Sequence, residues 1–144
     1  MATAFASIVG AVKALLQAGT PVSQQIHRGR VRPAALEWSD MVAIRLLDAQ
    51  LERFAVKDAP FNVDTILAVE CYARGAAGVS PDLAVDALLA AVYGRLAADP
   101  SLGGLVQDLE PTSINFDFDV DGESSACATL TYLVRHRADS NTLE

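Results

Sequence analysis

Three aspartates at alternate positions are the residues of this chain whose types and spacing first suggest chemistry. Asp117, Asp119 and Asp121, followed by Gly122, match the opening of an EF-hand calcium loop, in which alternate oxygens surround the ion. Counting from Asp117, however, the twelfth position is Ala128 rather than the bidentate glutamate that such a loop requires. Strand-forming residues also separate the aspartates, so the sequence favours a solvated acidic strand face over a calcium site.

The same carboxylates do not form a recognisable acid–base pair. On one strand face their Cα atoms lie about 7 Å apart, two strand rises, and nothing in the sequence separates their pKa values. His27 and His136 have no cysteine or carboxylate at metal-ligand spacing, and the serines and glycines form no nucleophile elbow or phosphate loop. We therefore expect no enzyme, no metal site and no cofactor.

The remaining candidate site residues are charged groups that are distributed unevenly along the chain. The net charge is −7, yet Arg28, Arg30 and Arg32 fall within five residues, whereas positions 108–123 hold six acids and no lysine or arginine. Glu70 stands alone in an apolar segment. It is either a catalytic acid with a raised pKa or, as we favour, a carboxylate at a sheet edge or interface that pairs with an arginine.

The first half of the chain predicts a helix and three strands. Apolar residues three, four and seven apart predict a helix over 3–18, and a short strand over 22–26 precedes a flexible loop at about 27–39. A second strand is expected at about 41–47, with a less regular continuation to residue 56, although a helix also fits this segment. Residues 63–74 are apolar on both faces, which is typical of a central strand.

The second half predicts a helix and a hairpin. Ser80-Pro81-Asp82 is a helix start, apolar residues at helical spacing extend it to about residue 98, and an extended segment follows at 106–111. Strict alternation over 114–121 and a turn at Asp121-Gly122 then predict a β-hairpin with one face in the core. The fold class is therefore α+β: two amphipathic helices on one side of a mixed or antiparallel sheet of four to five strands, ending in this hairpin.

Length and composition limit the domain organisation. A chain of 144 residues fits one domain, 1–144, with a frayed tail at about 138–144. Its apolar runs are far shorter than the ~20 residues of a membrane span, so no membrane partner is expected. The two cysteines lie in apolar segments and are predicted to be buried and reduced.

The chain resembles the tail terminator (minor tail protein U-like) family of long-tailed bacteriophages and prophages. The stretches that carry the resemblance are AVECYARG, DALLAAVYGRLAADPSLGGLV and INFDFDVDGESSACATLTYLVRHR. They cover residues 64–137 well, whereas the first half is similar only in the order of its elements. They form a pattern of strand, helix, glycine turn and acidic hairpin rather than a set of catalytic residues.

The resemblance implies a protein that closes into a ring of its own copies, usually a hexamer, on the end of the tail tube. Its partners would be the tail-tube protein and a head-completion or neck protein, and DNA would only pass through the ring. The protein would be assembled in the bacterial host cytoplasm and reside in the virion tail. We expect Arg28, Arg30 and Arg32 to meet acidic groups on a neighbouring subunit or on the tube. The acidic face of Asp117, Asp119 and Asp121 is expected to lie on an interface or to line the lumen. Another neck or tail-completion protein, or a small ligand- or metal-binding domain, remains as an alternative.

Overall fold

Two helices pack on one face of a five-stranded mixed sheet, which confirms the predicted fold class. The computed structural model describes residues 2–29, 39–53, 57, 59–75, 80–118 and 125–144. The elements run in the order α1 (Ala4–Gln17), β1 (Ile26–Arg28), β2 (Asp40–Glu52), β3 (Phe61–Arg74), α2 (Pro81–Ala97), β4 (Asp108–Phe118) and β5 (Ser125–Ala138).

The strand order in the sheet is β1-β2-β3-β5-β4. β1 runs parallel to β2, and the other three pairs are antiparallel. β3 therefore lies at the centre, as its apolar sequence predicted. Its residues from Leu67 to Ala73 are all buried, and Ile66 before them is half-buried. One margin of the sheet is β4. The other margin is β1 together with the part of β2 that β1 does not cover, from Arg45 to Glu52.

Helix α1 forms because its apolar residues recur at helical spacing behind a competent N-cap. The hydroxyl of Thr3 accepts a hydrogen bond from the backbone N–H of Ala6, which satisfies one of the free donors of the first turn. The apolar stripe that was predicted is the buried one, consisting of Ile8, Val9, Val12 and Leu16.

Helix α2 begins at Pro81, where the fixed backbone φ of proline suits a first helical position. The predicted cap, Ser80, makes no side-chain hydrogen bond to the helix backbone. Its side chain instead hydrogen-bonds the carboxylate of Asp82 and, with the backbone N–H of Leu83, lowers the pKa of that carboxyl. The stripe that α2 buries against the sheet is Val85, Leu88, Val92 and Leu96.

The helix-facing side of the sheet supplies the rest of one hydrophobic core. Alternate residues of β5 belong to it, as the sequence predicted: Ala126, Ala128, Leu130, Tyr132 and Val134. Cys71 of β3 faces this core, whereas Cys127, directly paired with Tyr72, points to the opposite face. Both cysteines are buried and neither is part of a disulfide bond, which confirms the prediction for them.

A single side chain joins the C-terminal end of α1 to α2. The guanidinium group of Arg95 donates hydrogen bonds to the carbonyl oxygens of Leu15 at 3.1 Å and Ala18 at 2.7 Å, and to that of Thr20. These carbonyls are at the end of α1, where the backbone lacks helical partners and the helix dipole favours a cation. Arg95 therefore fixes the two helices relative to each other.

Strands β1 and β2 differ from their predicted positions. β1 begins at Ile26, four residues later than expected, so His27 and Arg28 belong to a strand and not to the predicted loop. β2 continues as strand from Leu47 to Glu52, where a less regular continuation was expected. Its pairing with β3 skips Leu47, and this bulge interrupts the alternation on which the sequence prediction depended.

The chain between α2 and β4 turns through the Leu-Gly-Gly sequence. Leu102, Gly103 and Gly104 have φ values of 49°, 70° and 92°, a region that glycine enters without strain. β4 and β5 then pair along their length as the predicted hairpin. Its turn, including Asp121 and Gly122, lies outside the described residues.

The hairpin differs from the prediction in one respect. Its apolar β4 face was expected in the core, yet Ile114, Phe116 and Phe118 are exposed. After β5, Leu143 accepts a backbone hydrogen bond from Ala4 at 2.7 Å, so the C-terminal segment is attached to the start of α1 where a frayed end was predicted.

Candidate functional site

Of the three arginines predicted to act together, the structure describes Arg28, and Arg30 and Arg32 lie outside the described residues. Arg28 ends β1 and is exposed, and its Nη2 donates a hydrogen bond to the carbonyl oxygen of Ala6 at 3.0 Å. A carbonyl oxygen is neutral, so this contact orients the guanidinium group and leaves its positive charge uncompensated by that partner. Arg28 is therefore a fixed cation at one margin of the sheet.

Glu70 lies on the central strand β3, on the face opposite the helices, and not at a sheet edge. The residue is 3% exposed, and its carboxylate is 3.3 Å from the guanidinium group of Arg45 on β2. Pairing with an arginine was the interpretation that the sequence favoured. A buried carboxylate that loses such a partner retains its desolvation cost, so Arg45 compensates the charge of Glu70 inside the sheet.

Of the acidic residues on the hairpin, Asp117 is described and is exposed on β4, on the face opposite the helices. Asp119 and Asp121 lie outside the described residues. Two further β4 acids contact β5: Arg135 lies 3.4 Å from Asp108 and 3.2 Å from Glu110. These ion pairs are half exposed and strengthen the pairing of β4 with β5 only slightly.

The margin formed by β4 contains residues that the sequence did not suggest as functional. Ile114, Phe116 and Phe118 share the helix-facing side of the sheet, yet Phe116 is 56% exposed because α2 packs mainly over β3 and β5. The Phe116 and Phe118 rings stack with centroids 6.4 Å apart. They line a groove of about 270 Å³ whose other wall is the first turns of α2: Asp82, Leu83, Val85 and Asp86.

The opposite margin of the sheet is also apolar and open over part of its length. β1 pairs with β2 only from Val42 to Ile44, so among the described residues the outer edge of β2 from Arg45 to Glu52 has no neighbouring strand. Leu46, Leu47 and Leu51 are exposed there. A groove of about 360 Å³ lies beside them, lined by Val9, Arg28, Gly29, Ile44, Arg45 and Leu46.

His136 occupies a buried polar position near the end of β5. Its Nδ1 lies 3.2 Å from the carbonyl oxygen of Arg137, which can only accept, so Nδ1 carries the proton. Nε2 then accepts a hydrogen bond from the Thr65 hydroxyl at 2.7 Å, and the ring meets Phe5 of α1 edge to face. Burial lowers the pKa of His136, while the hydrogen bond to Arg137 and the charge of Asp64 partly oppose this.

Side chains suited to metal binding or nucleophilic attack are not grouped together in the part of the chain that the structure describes. Within it, no set of three or more histidines, cysteines or carboxylates is placed to hold a metal ion. Burial, and then the nearby Cys127 and Glu70, raise the pKa of the Cys71 thiol, so the thiol is protonated at neutral pH.

Neither of the described helices is long and apolar enough to cross a membrane.

Comparison with known proteins gives a likeness among solved structures. No protein family and no curated protein matches the sequence. Among solved structures, the chain is similar to a chain of the virion of a native gene transfer agent particle, with a TM-score of 0.53 and 14% sequence identity. The similarity covers 91% of this chain and 95% of that chain. At this identity the comparison shows a shared fold, matched over nearly the whole of both chains.

Proposed function

We propose that the protein is a structural component of a virion or of a phage-like particle. The observation that carries this proposal is the fold shared almost end to end with a chain of a gene transfer agent virion. Because both chains are matched over more than nine-tenths of their length, the likeness concerns the whole fold and not a common fragment. The sequence resemblance to phage tail proteins over residues 64–137 supports the same class independently.

Within that class, the proposed role is that of a tail terminator. The protein forms a ring, usually of six copies, on the end of the completed tail tube, stops the addition of tube subunits and presents the surface to which the head joins. A ring built head to tail needs two different patches on each subunit that fit each other. The two unlike margins of the sheet, one beside Phe116 and one beside Leu47, supply such a pair.

The charged residues take roles that follow from this arrangement. Arg28, together with Arg30 and Arg32, contacts acidic groups on the neighbouring subunit or on the tube, and Arg28 is a fixed cation at the sheet margin. The acidic hairpin face that begins at Asp117 lies on an interface or along the lumen. An acidic lumen lets DNA pass, because phosphates gain no counterion release from carboxylates.

An assembly assay tests the tail terminator role. The gene is deleted from a strain that produces the particles, and tail length and head attachment are measured by electron microscopy. We expect tails of abnormal length without heads, and restoration by the wild-type chain. Tails of normal length joined to heads would contradict the role.

The same strain then tests the arginines and the position of the protein. Alanine at Arg28, Arg30 and Arg32 together is expected to reproduce the deletion, whereas alanine at Lys13, a half-buried cation on α1 outside this group, is the control. Labelling of the protein in particles should mark the head-proximal end of the tube. A label elsewhere in the neck would instead favour another tail-completion protein.

A further inference from the structure

The β4 margin is an open strand edge that carries an unusual amount of apolar surface. β4 pairs with β5 on one side only, and its other edge has no partner among the described residues. Soluble proteins commonly protect such edges with charges, prolines or bulges. β4 has Pro111 and a bulge at Thr112 in its first half, but Ser113 to Phe118 continues regularly and exposes two phenylalanines. Leu83 of α2, 62% exposed, extends this apolar surface across the groove.

The β2 margin offers a counterpart of similar kind. The short β1 leaves Arg45–Glu52 as an open edge of the described sheet, and three leucines are exposed along it. The groove between this edge and α1 resembles the groove between β4 and α2, since each lies between a helix and a marginal strand. Each margin therefore has apolar residues and an adjacent concave surface.

The charges that line the two grooves are opposite. The groove beside β4 contains Asp82 and Asp86, both exposed, whereas the groove beside β2 contains the exposed Arg28 and also Arg45, whose charge already compensates Glu70. Two β4 margins brought together would place the aspartates of one copy near those of the other, which opposes association. A β4 margin against a β2 margin places carboxylates near guanidinium groups and favours it.

The geometry points to a head-to-tail contact between copies of this chain, in which the β4 margin of one copy covers the β2 margin of the next. Phe116, Phe118 and Leu83 contact Leu46, Leu47 and Leu51 of the neighbour, and Asp82 and Asp86 face its Arg28. This contact is the subunit interface of the proposed ring. The contact itself is argued from the two margins, and its closing into a ring rests on the proposed function. Because the two patches differ, each copy uses one margin to bind and presents the other.

Two variants, each altered at one margin, test the contact. Phe116→Asp blocks the β4 margin, Leu47→Asp blocks the β2 margin, and Leu105→Asp changes an exposed leucine outside both margins as the matched control. Sedimentation over a concentration series up to about 1 mM detects contacts as weak as millimolar. Wild type and L105D should associate, while F116D and L47D alone should each associate about tenfold more weakly or worse.

The decisive sample is an equimolar mixture of F116D and L47D. F116D retains a working β2 margin and L47D a working β4 margin, so the mixture should stop at a dimer with one copy of each. In NMR spectra, labelled F116D titrated with unlabelled L47D should shift amides of β2 and α1 and leave β4 unchanged. Circular dichroism and melting confirm that the variants are folded, and Leu83→Asp and Leu51→Asp replace any that is not.

Several results would overturn the contact. Absence of association and of amide shifts in wild type at about 1 mM would do so, as would association that both variants leave unaltered. Loss of association by F116D without an effect of L47D, and without a dimer in the mixture, would mean a symmetric contact between β4 margins. Failure of the contact is also separable from failure of the proposed function, because the deletion strain tests the function by itself. Normal tails joined to heads in the deletion strain contradict the function. An abnormal deletion strain in which F116D that cannot associate still restores normal tails contradicts only the use of this contact in the ring.

Discussion

The two strands of the hairpin have the same alternation of apolar residues but different surroundings. On β5, Ala126, Ala128 and Leu130 are fully buried, whereas on β4 their direct partners Phe118, Phe116 and Ile114 are exposed. Each pair lies on the same side of the sheet, since residues that pair across strands share a face. In two of these three pairs the larger side chain, a phenylalanine, is the one in solvent, which is the reverse of what residue size alone would suggest.

The difference arises from the position of each strand relative to α2. α2 packs over β3 and β5, and the alanines of β5 allow its close approach, whereas β4 lies beyond the width of the helix. A strand's alternation identifies which residues share a face. Whether that face is buried depends on which strand lies at the margin and on where the helices end.

Truncation of a cross-strand pair should give the largest contrast between the two strands. Leu130→Ala removes a fully buried side chain and is expected to lower the free energy of unfolding by about 2–5 kcal/mol. Ile114→Ala, at its partner on β4, should cost well under half as much because Ile114 is already in contact with solvent. Urea denaturation of both variants measures this, and equal losses would mean that β4 is covered in solution.

The polar residues of the two strands should differ in their response to pH. His136 of β5 is buried and its pKa is lowered, chiefly by burial, so the folded state holds it neutral. The unfolded state binds a proton near pH 6.5, so it binds more protons than the folded state as pH falls through and below that value. The contribution of His136 is therefore present above about pH 6.5 and is lost progressively towards acid.

Replacement of His136 by glutamine separates this contribution from those of the other groups. We expect unfolding free energies measured from pH 7 to pH 5 to fall less steeply for H136Q than for the wild type. Asp117→Asn, a neutral substitution at an exposed position on the other strand of the hairpin, is the control. Equal slopes for H136Q and wild type would show that His136 does not titrate differently on folding.

The ion pairs that join the two strands should have the smallest effect. Arg135→Ala removes the contacts to Asp108 and Glu110, all half exposed, and is expected to change stability by less than about 1 kcal/mol. Added salt should reduce even this difference through screening. Denaturation at low and high salt measures it, and a large loss that persists at high salt would show that these charges hold β4 in place.

Much of the fold follows from local patterns in the sequence. α1 was predicted from the spacing of its apolar residues, and α2 from such spacing together with the start signal at Ser80-Pro81-Asp82. β3 was predicted because it is apolar on both faces, and the hairpin because its alternation is strict. The extent of β2 was not predicted, because the bulge at Leu47 shifts the alternation and pairing with β3 restores the strand beyond it. The position of such a bulge depends on pairing with the partner strand, and the local sequence pattern of β2 holds no information about that partner.

The candidate site was predicted only in part. The sequence identified Arg28 and Asp117 as surface charges and favoured an arginine partner for Glu70, which the structure shows to be Arg45. It did not identify Phe116, Leu83 or Leu47, because a regular apolar alternation normally indicates a core face. The signal that was present is the difference in side-chain size across the hairpin, because phenylalanines on β4 pair with alanines on β5.

The link that Arg95 makes between α2 and the end of α1 has a consequence for how the protein responds to its surroundings. Its acceptors are the backbone carbonyl oxygens of Leu15, Ala18 and Thr20, which neither titrate nor carry a net charge. Arginine also stays protonated at every pH at which proteins fold. Acidification or added salt that weakens contacts between carboxylates and guanidinium groups therefore leaves the two helices joined.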